Sequence, residues 1–436
     1  MEESEFELVL ASFTRNLDSL NDVSPIIGLT LKAILSKGSQ DYNQHLEDCG
    51  EVIDKADDQD DEKAYKVPVH QRAKADRMRV MLGRFELANA LIPKSFLVSY
   101  VSEFDSFLGN LLKAIYRRKP ELLNGSERQL TFSELQGFCS IEDAREHILE
   151  KEVETLLRKS HAEHFNILEK KFDLPLKKGL DIWPDYIELT ERRNLFVHCD
   201  GVVSSQYLTV CQQHEVETKE TAVGQKLTVD NDYLKSAYAI IYELAVKLTH
   251  VLWRKQFPED RKLADHSYNN LCFDLILHKK YHLAAKLLEF AVNGFKKYHD
   301  ETYERMFVIN LAQAYKFSGE DKKCEALLKR FDWNASGYEF KLAIAVLKEN
   351  YDDALKYMKK AVATEDIGEY EFIEWPLFKE FRKEQRFINK FEELFNKPFP
   401  LAVESVSLEE PEQEEELSSG AADEMKKDLL EDLDKK

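Results

Sequence analysis

The stretch LVSYVSEFDSFLGNLLKAI, residues 97–115, decides the fold. Its apolar residues Leu97, Val101, Phe104, Leu108, Leu111 and Ile115 recur at alternating steps of four and three. That spacing is one continuous face of an α-helix. Lys119-Pro120 ends the helix, because proline has no amide hydrogen to continue the ladder. The same period extends outward in both directions. Residues 1–56 contain two helical patterns, one through Phe6, Leu10, Phe13 and Leu17 and one over Ile26 to Ile53. An acidic bridge, Asp54 to Glu62, reads as an exposed linker. Downstream, the patterning predicts a long helix over Ser140 to Phe172. A second helix opens at Trp183-Pro184 and a third covers Tyr233 to Phe257. Residues 203–228 read as irregular, with an extended segment at Tyr207 to Val210.

Composition agrees with an all-α chain. Of 436 residues only 15 are Gly and 11 Pro, too few for a turn-rich sheet protein. The length calls for more than one core. The most apolar helical stretch, Tyr238 to Trp253, is interrupted by Glu243, Lys247 and His250, so it is a core helix and no membrane partner is expected. Met1 to Leu8 is acidic and lacks the basic start of a secretory signal. Six scattered cysteines point to free thiols in a reducing cytoplasm. The net charge of -20 argues against broad, non-specific nucleic-acid binding. Residues 401–436 hold thirteen acidic and four basic groups. They predict a disordered tail that either solubilises the chain or competes with RNA for a local basic pocket.

After about residue 265 a repeat sets in. Ala284, Cys324 and Ala354 fall on one small-residue position, with Leu288, Leu328 and Met358 four residues later and Ala291, Phe331 and Ala361 three beyond. The stretch Asn310-Leu311-Ala312 with Tyr315, Gly319 and Cys324 resembles the tetratricopeptide pattern at its Leu, small, Tyr, Gly and small positions. Trp375 to Phe391 resembles a capping half-repeat. The expected organisation is an N-terminal helical segment with its linker (1–66), a helical bundle (67–260), tetratricopeptide-like repeats (261–398) and the acidic tail (399–436). A protein partner is expected on residues 265–395.

Chemistry concentrates at Glu191-Arg192-Arg193-Asn194-Leu195-Phe196-Val197-His198, followed by Cys199-Asp200-Gly201, which stops the helix. Arginine holds a phosphate with a fixed fork of donors, and histidine moves protons near neutral pH. On a helical wheel Glu191, Asn194 and His198 share one face within about 60°, whereas Arg193 lies about 140° from His198. A complete site therefore calls for a second copy or for an arginine that curls round.

This arrangement is similar to the HEPN superfamily, helical domains whose shared motif is Arg, four to six residues, then His, with a polar residue commonly after Arg. The resemblance covers roughly residues 75–257. It implies metal-independent endoribonuclease activity without a cofactor, with His198 as the proton-transfer group, Arg193 as the phosphate clamp and Asn194 orienting the pair. Glu191 and Arg192 are supporting residues, and Arg192 offers a second register with five intervening residues. The resemblance also implies a homodimer with RNA as partner, and a defence or toxin-like role. The alternative is a non-catalytic dimer whose repeats bind a protein, with Glu191, Arg193 and His198 as a polar cluster that fixes packing.

Other candidates are weaker. His161 and His164 stand at i, i+3 but lack further ligands at metal-motif spacing, so no metal is expected and a surface or half-buried face is the stronger reading. Lys113, Arg117, Arg118 and Lys119, or Lys170, Lys171, Lys177 and Lys178, would track an RNA backbone or simply cap helix ends. Glu103 and Asp105 either face His198 or lie in solvent. Cys199 points away from its neighbour His198 and is discounted as a nucleophile.

Overall fold

The computed structural model describes residues 4–53, 64–123, 130–218 and 221–400. The acidic segment Asp54 to Glu62 and the acidic tail beyond residue 400 lie outside the described residues. The fold is all-α, as the patterning requires. The first helix, α1 (Glu5–Cys49), and the second, α2 (Val69–Arg118), pair as long partners. A two-stranded antiparallel ribbon joins them, β1 (Glu51–Ile53) with β2 (Ala64–Lys66), pairing Val52 with Tyr65. The two patterns expected before residue 56 are one continuous helix that contains Pro25, and α2 likewise contains Pro93.

α2 is the axis of the bundle. Its stripe is fully inward: Leu97, Phe104, Leu108, Leu111 and Ile115 are all 0% exposed. Against it pack α4 (Ile141–Leu157), α6 (Trp183–His198) and α8 (Asn231–Gln256). The short α3 (Phe132–Leu135) precedes α4, and α5 (His161–Phe172) lies between α4 and α6. The single helix expected over Ser140 to Phe172 is thus two. Ser160 starts α5 as a capping box, its hydroxyl accepting from the Glu163 amide while the Glu163 carboxylate accepts from the Ser160 amide. The segment expected to be extended at Tyr207 to Val210 is helical, α7 (Ser205–Gln213), because Ser204 caps it on the Tyr207 amide.

The described residues fall into two compact units that divide between Asp332 and Trp333. In the first, α9 (Arg261–Leu277) and α10 (Tyr281–Gly294) continue from α8, and α11 (Glu301–Phe317) pairs with α12 (Asp321–Leu328). Arg254 and Asp265, both buried, form an ion pair that fastens α9 to the end of α8. The second unit holds the hairpin α13 (Tyr338–Leu347) and α14 (Tyr351–Ala363), then α15 (Glu369–Glu374) and α16 (Gln385–Phe395). Phe372, Phe378, Phe381, Phe387 and Phe391 form its buried aromatic core. Ala284, Cys324 and Ala354 each occupy the fourth position of the second helix of a hairpin, and all three are buried. No helix among the described residues is long and apolar enough to cross a membrane.

One core residue ties stability to pH. His250 is 0% exposed in α8, packed edge-on to Tyr268 at 4.7 Å, and neither ring nitrogen has a hydrogen-bond partner. Burial, with the charge of Arg254 acting the same way, holds its imidazole far below the usual range. The unfolded chain takes up this proton below about pH 6.5 and the folded chain does not. The contribution is therefore intact above that pH and is lost as pH falls below it. Between pH 7.5 and 5 the parent should lose up to about 2 kcal/mol more stability than His250→Leu in urea unfolding. Equal losses in the two chains would refute the assignment.

Candidate functional site

The start of α6 is set by Pro184 in its first turn, where no amide donor is needed, and by Asp185 beside the positive end of the helix. Its end is set by backbone geometry. Asp200 (φ 49°) and Gly201 (φ 82°) turn left-handed, and the amides of Cys199 and Gly201 both donate to the Leu195 carbonyl, at 2.8 and 3.0 Å. A Cβ on Gly201 would come within 2.9 Å of the Phe196 ring. Beneath this turn Leu195, Val203, Tyr207, Cys211 and Leu227 form a buried apolar cluster. His198 therefore stands exposed on a helix end whose backbone is fixed.

The interior side of α6 is organised by Glu188, a residue the sequence reading did not single out. Its Oε1 accepts from Arg192 Nε at 2.6 Å and from the Tyr207 hydroxyl at 2.7 Å, and its Oε2 accepts from the Tyr233 hydroxyl at 2.6 Å. Arg192 also donates to the Thr228 carbonyl at 3.1 Å and lies 4.2 Å over the Tyr233 ring. Burial and the Glu188 charge together hold both phenols well in their protonated form. The only sequence trace of this hub is the i, i+4 spacing of Glu188 and Arg192.

Arg192 is thus committed within the fold, and Arg193 is not. Arg193 donates through Nη1 to Asn194 Oδ1 at 3.2 Å, while its Nε is buried without a partner. Asn194 Nδ2 donates to Glu191 Oε1 at 3.3 Å. Burial raises the Glu191 carboxyl above its usual range, opposed by the nearby His161 and by Asn194. The structure so links Glu191, Asn194 and Arg193 in one chain of side chains on α6 and leaves His198 apart, in solvent. Beside His198, Lys94 lies 5.2 Å over the Phe196 ring and 3.7 Å from Asp200, which also takes Lys226 at 2.6 Å.

The remaining candidates separate clearly. Arg117 pairs with Glu5 and Glu146, and Arg118 with Asp260 while stacking 4.1 Å over Phe257. Lys113 faces Glu150, Lys171 covers the Tyr116 ring and Lys177 pairs with Glu169. These cations serve helix ends. Glu103 accepts from Asn16. Asp105 faces neither His198 nor open solvent: its Oδ1 lies 3.0 Å from His161 Nε2. His161 and His164 are buried rather than on a surface face, at 7% and 1% exposure. A cleft of about 410 Å³ lies elsewhere, between α1 and α9, and is lined by Asp18, Asp22, Asp274 and Lys280 among others.

The hub and the motif arginine predict different mutational costs. Glu188→Ala strips Arg192 of its carboxylate, leaving it the Thr228 carbonyl alone, and leaves the Tyr207 and Tyr233 hydroxyls unpaired, and should cost roughly 2–4 kcal/mol. Arg193→Ala should cost within about 1 kcal/mol. Urea midpoints measure both, and equal losses would contradict the division of labour between Arg192 and Arg193.

No protein-family model, no curated protein and no solved structure matches this chain.

Proposed function

We propose that the chain is a metal-independent endoribonuclease of HEPN type, acting as a homodimer, with Arg193 clamping the phosphate and His198 transferring the proton. The observation that carries this reading is the contrast between the two arginines. Arg192 is consumed by Glu188, Tyr233 and Thr228, while Arg193 keeps only Asn194 and His198 stands exposed at the same helix end. On the reading, Arg193 neutralises charge at the scissile phosphate, and Asn194 holds its fork in place. His198 takes the proton of the 2′-hydroxyl or gives one to the leaving oxygen. Five residues apart on one helix, the two groups are offset by about 140° and about 7.5 Å along the axis, so each site draws on two chains.

An apolar surface beside the motif supports that assembly. Asn16 contacts Glu103, and Gly38 lies against Leu82, so α1 and α2 run antiparallel. That register sets Ile26 level with Lys94 and Leu29 level with Leu91. Ile26, Leu29, Leu87 and Leu91 are 62%, 70%, 59% and 44% exposed. Val197 and Val202, flanking His198, are exposed as well. A second copy laid over this face buries apolar area and brings its own α6 to the first. The helical hairpins within residues 265–395, tetratricopeptide-like in this reading, recruit a protein partner.

The purified protein should cleave RNA in EDTA and leave a 2′,3′-cyclic phosphate. His198→Ala should lower the rate by more than about a hundredfold with an unchanged circular-dichroism spectrum. Parent-like cleavage by His198→Ala would remove the site. An inert parent would leave the non-catalytic assembly reading. Light scattering should give a dimer that survives removal of residues 333–436 and dissociates in an Ile26→Glu, Leu91→Glu double variant.

A further inference from the structure

Behind the motif helix lies a second constellation that the ribonuclease reading does not use. Asp105 from α2 meets His161 and His164 from α5, and one ligand atom from each lies within 4.8 Å of the other two. Asp105 Oδ1 and His161 Nε2 are already 3.0 Å apart. The imidazoles of His161 and His164 stand 5.2 Å apart, inclined at 58°. His164 is 1% exposed, and neither of its ring nitrogens has a partner of hydrogen-bond geometry. Closed off from water, with only the Leu157 and Lys159 carbonyls nearby and those outside good hydrogen-bond geometry, this imidazole loses part of the hydrogen bonding it makes in water, and unlike the equally buried His250 it stands beside a second imidazole and a carboxylate.

We propose that Asp105, His161 and His164 bind a divalent transition-metal ion of the zinc class. Two imidazoles and a carboxylate are the ligand set of such ions. Bonds of about 2.0–2.2 Å to a tetrahedral centre place ligand atoms roughly 3.4 Å apart, which small side-chain rotations reach from the arrangement present. The charges also balance. Two neutral imidazoles leave a double positive charge for Asp105 and for Glu191, which is half-buried and within electrostatic reach of His161. Burial holds the His164 imidazole down to about 4, so it is neutral and free to ligate at ordinary pH. The carbonyls of Leu157 and Lys159 stand beside the ring and orient its second nitrogen once the first is bound. Tyr186, fully buried with an unpartnered hydroxyl, closes the inner wall edge-on to His161 at 6.1 Å.

The ion has a structural consequence. It ties α2 to α5 and, through Glu191, reaches the helix that carries Asn194 and Arg193. It takes no part in the proton transfers assigned to His198, and the site stands on its own geometry whether or not RNA is cleaved.

Tag-free, metal-stripped full-length protein titrated with Zn2+ alone should bind one equivalent and melt at a higher temperature. Co2+ in its place should show the visible absorption of a low-symmetry nitrogen and oxygen site. His164→Gln and Asp105→Asn, each with the parent's circular-dichroism spectrum, should weaken Zn2+ binding by at least about a hundredfold. His278→Ala, an exposed histidine outside the cluster, should bind like the parent. No Zn2+ bound by the parent, or undiminished binding in a folded Asp105→Asn, would overturn the proposal.

Discussion

The arrangement of the motif helix depends on the Glu188 carboxylate. Three donors from three helices converge on it: Arg192 from α6 itself, Tyr207 from α7 and Tyr233 from α8. A half-buried carboxylate is tolerable only when its lone pairs are filled and its charge is met. Glu188 meets both demands, and so fixes the rotation of α6 about its axis. From that rotation the rest follows. Arg192 turns inward, Arg193 lies beside Asn194, Leu195 enters the apolar cluster under α7, and His198 emerges at the surface. Gly201 then permits the sharp stop that keeps His198 in the last turn.

The charge distribution sets how a polyanion would be met. Although the chain carries -20 overall, the basic helix ends at Arg117 and Arg118 are spent on neighbouring carboxylates. Lys94 and Lys226 share Asp200 next to His198. An RNA backbone arriving there would compete with one exposed carboxylate instead of meeting an open basic track. Few phosphates would be neutralised, and binding would depend only weakly on salt. Recognition of RNA would then rest on a confined site, which suits the proposed cleft between two chains.

Sequence patterning reached as far as local periodicity reaches. The stripe from Leu97 to Ile115 is buried along its whole length, and the limits of α6 are those that Trp183-Pro184 and Asp200-Gly201 announce. The break at Ser160 was also written locally, as Ser160 with Glu163 three residues on, but the apolar rhythm running across it masked the cap. At α7 the β-favouring residues Tyr207, Thr209 and Val210 concealed the Ser204 cap, and tertiary packing of Tyr207 and Cys211 decided for helix. The hub and the Asp105, His161 and His164 cluster were beyond reach for a different reason. Glu188 lies 19 and 45 residues from Tyr207 and Tyr233, and Asp105 lies 56 residues from His161, so these groups meet only through helix packing. His161 and His164 show their spacing in the sequence, whereas the carboxylate that makes them a ligand set does not.

Mixing two variants tests directly whether one site is shared by two chains. Arg193→Ala and His198→Ala chains, each inert alone, are combined in equal amounts and allowed to exchange subunits. In half of the dimers one of the two sites then unites an intact Arg193 with an intact His198 from the other chain. RNA cleavage in EDTA should recover to about a quarter of the parent rate. If exchange is complete by native mass spectrometry and the mixture stays inert, the shared site is wrong.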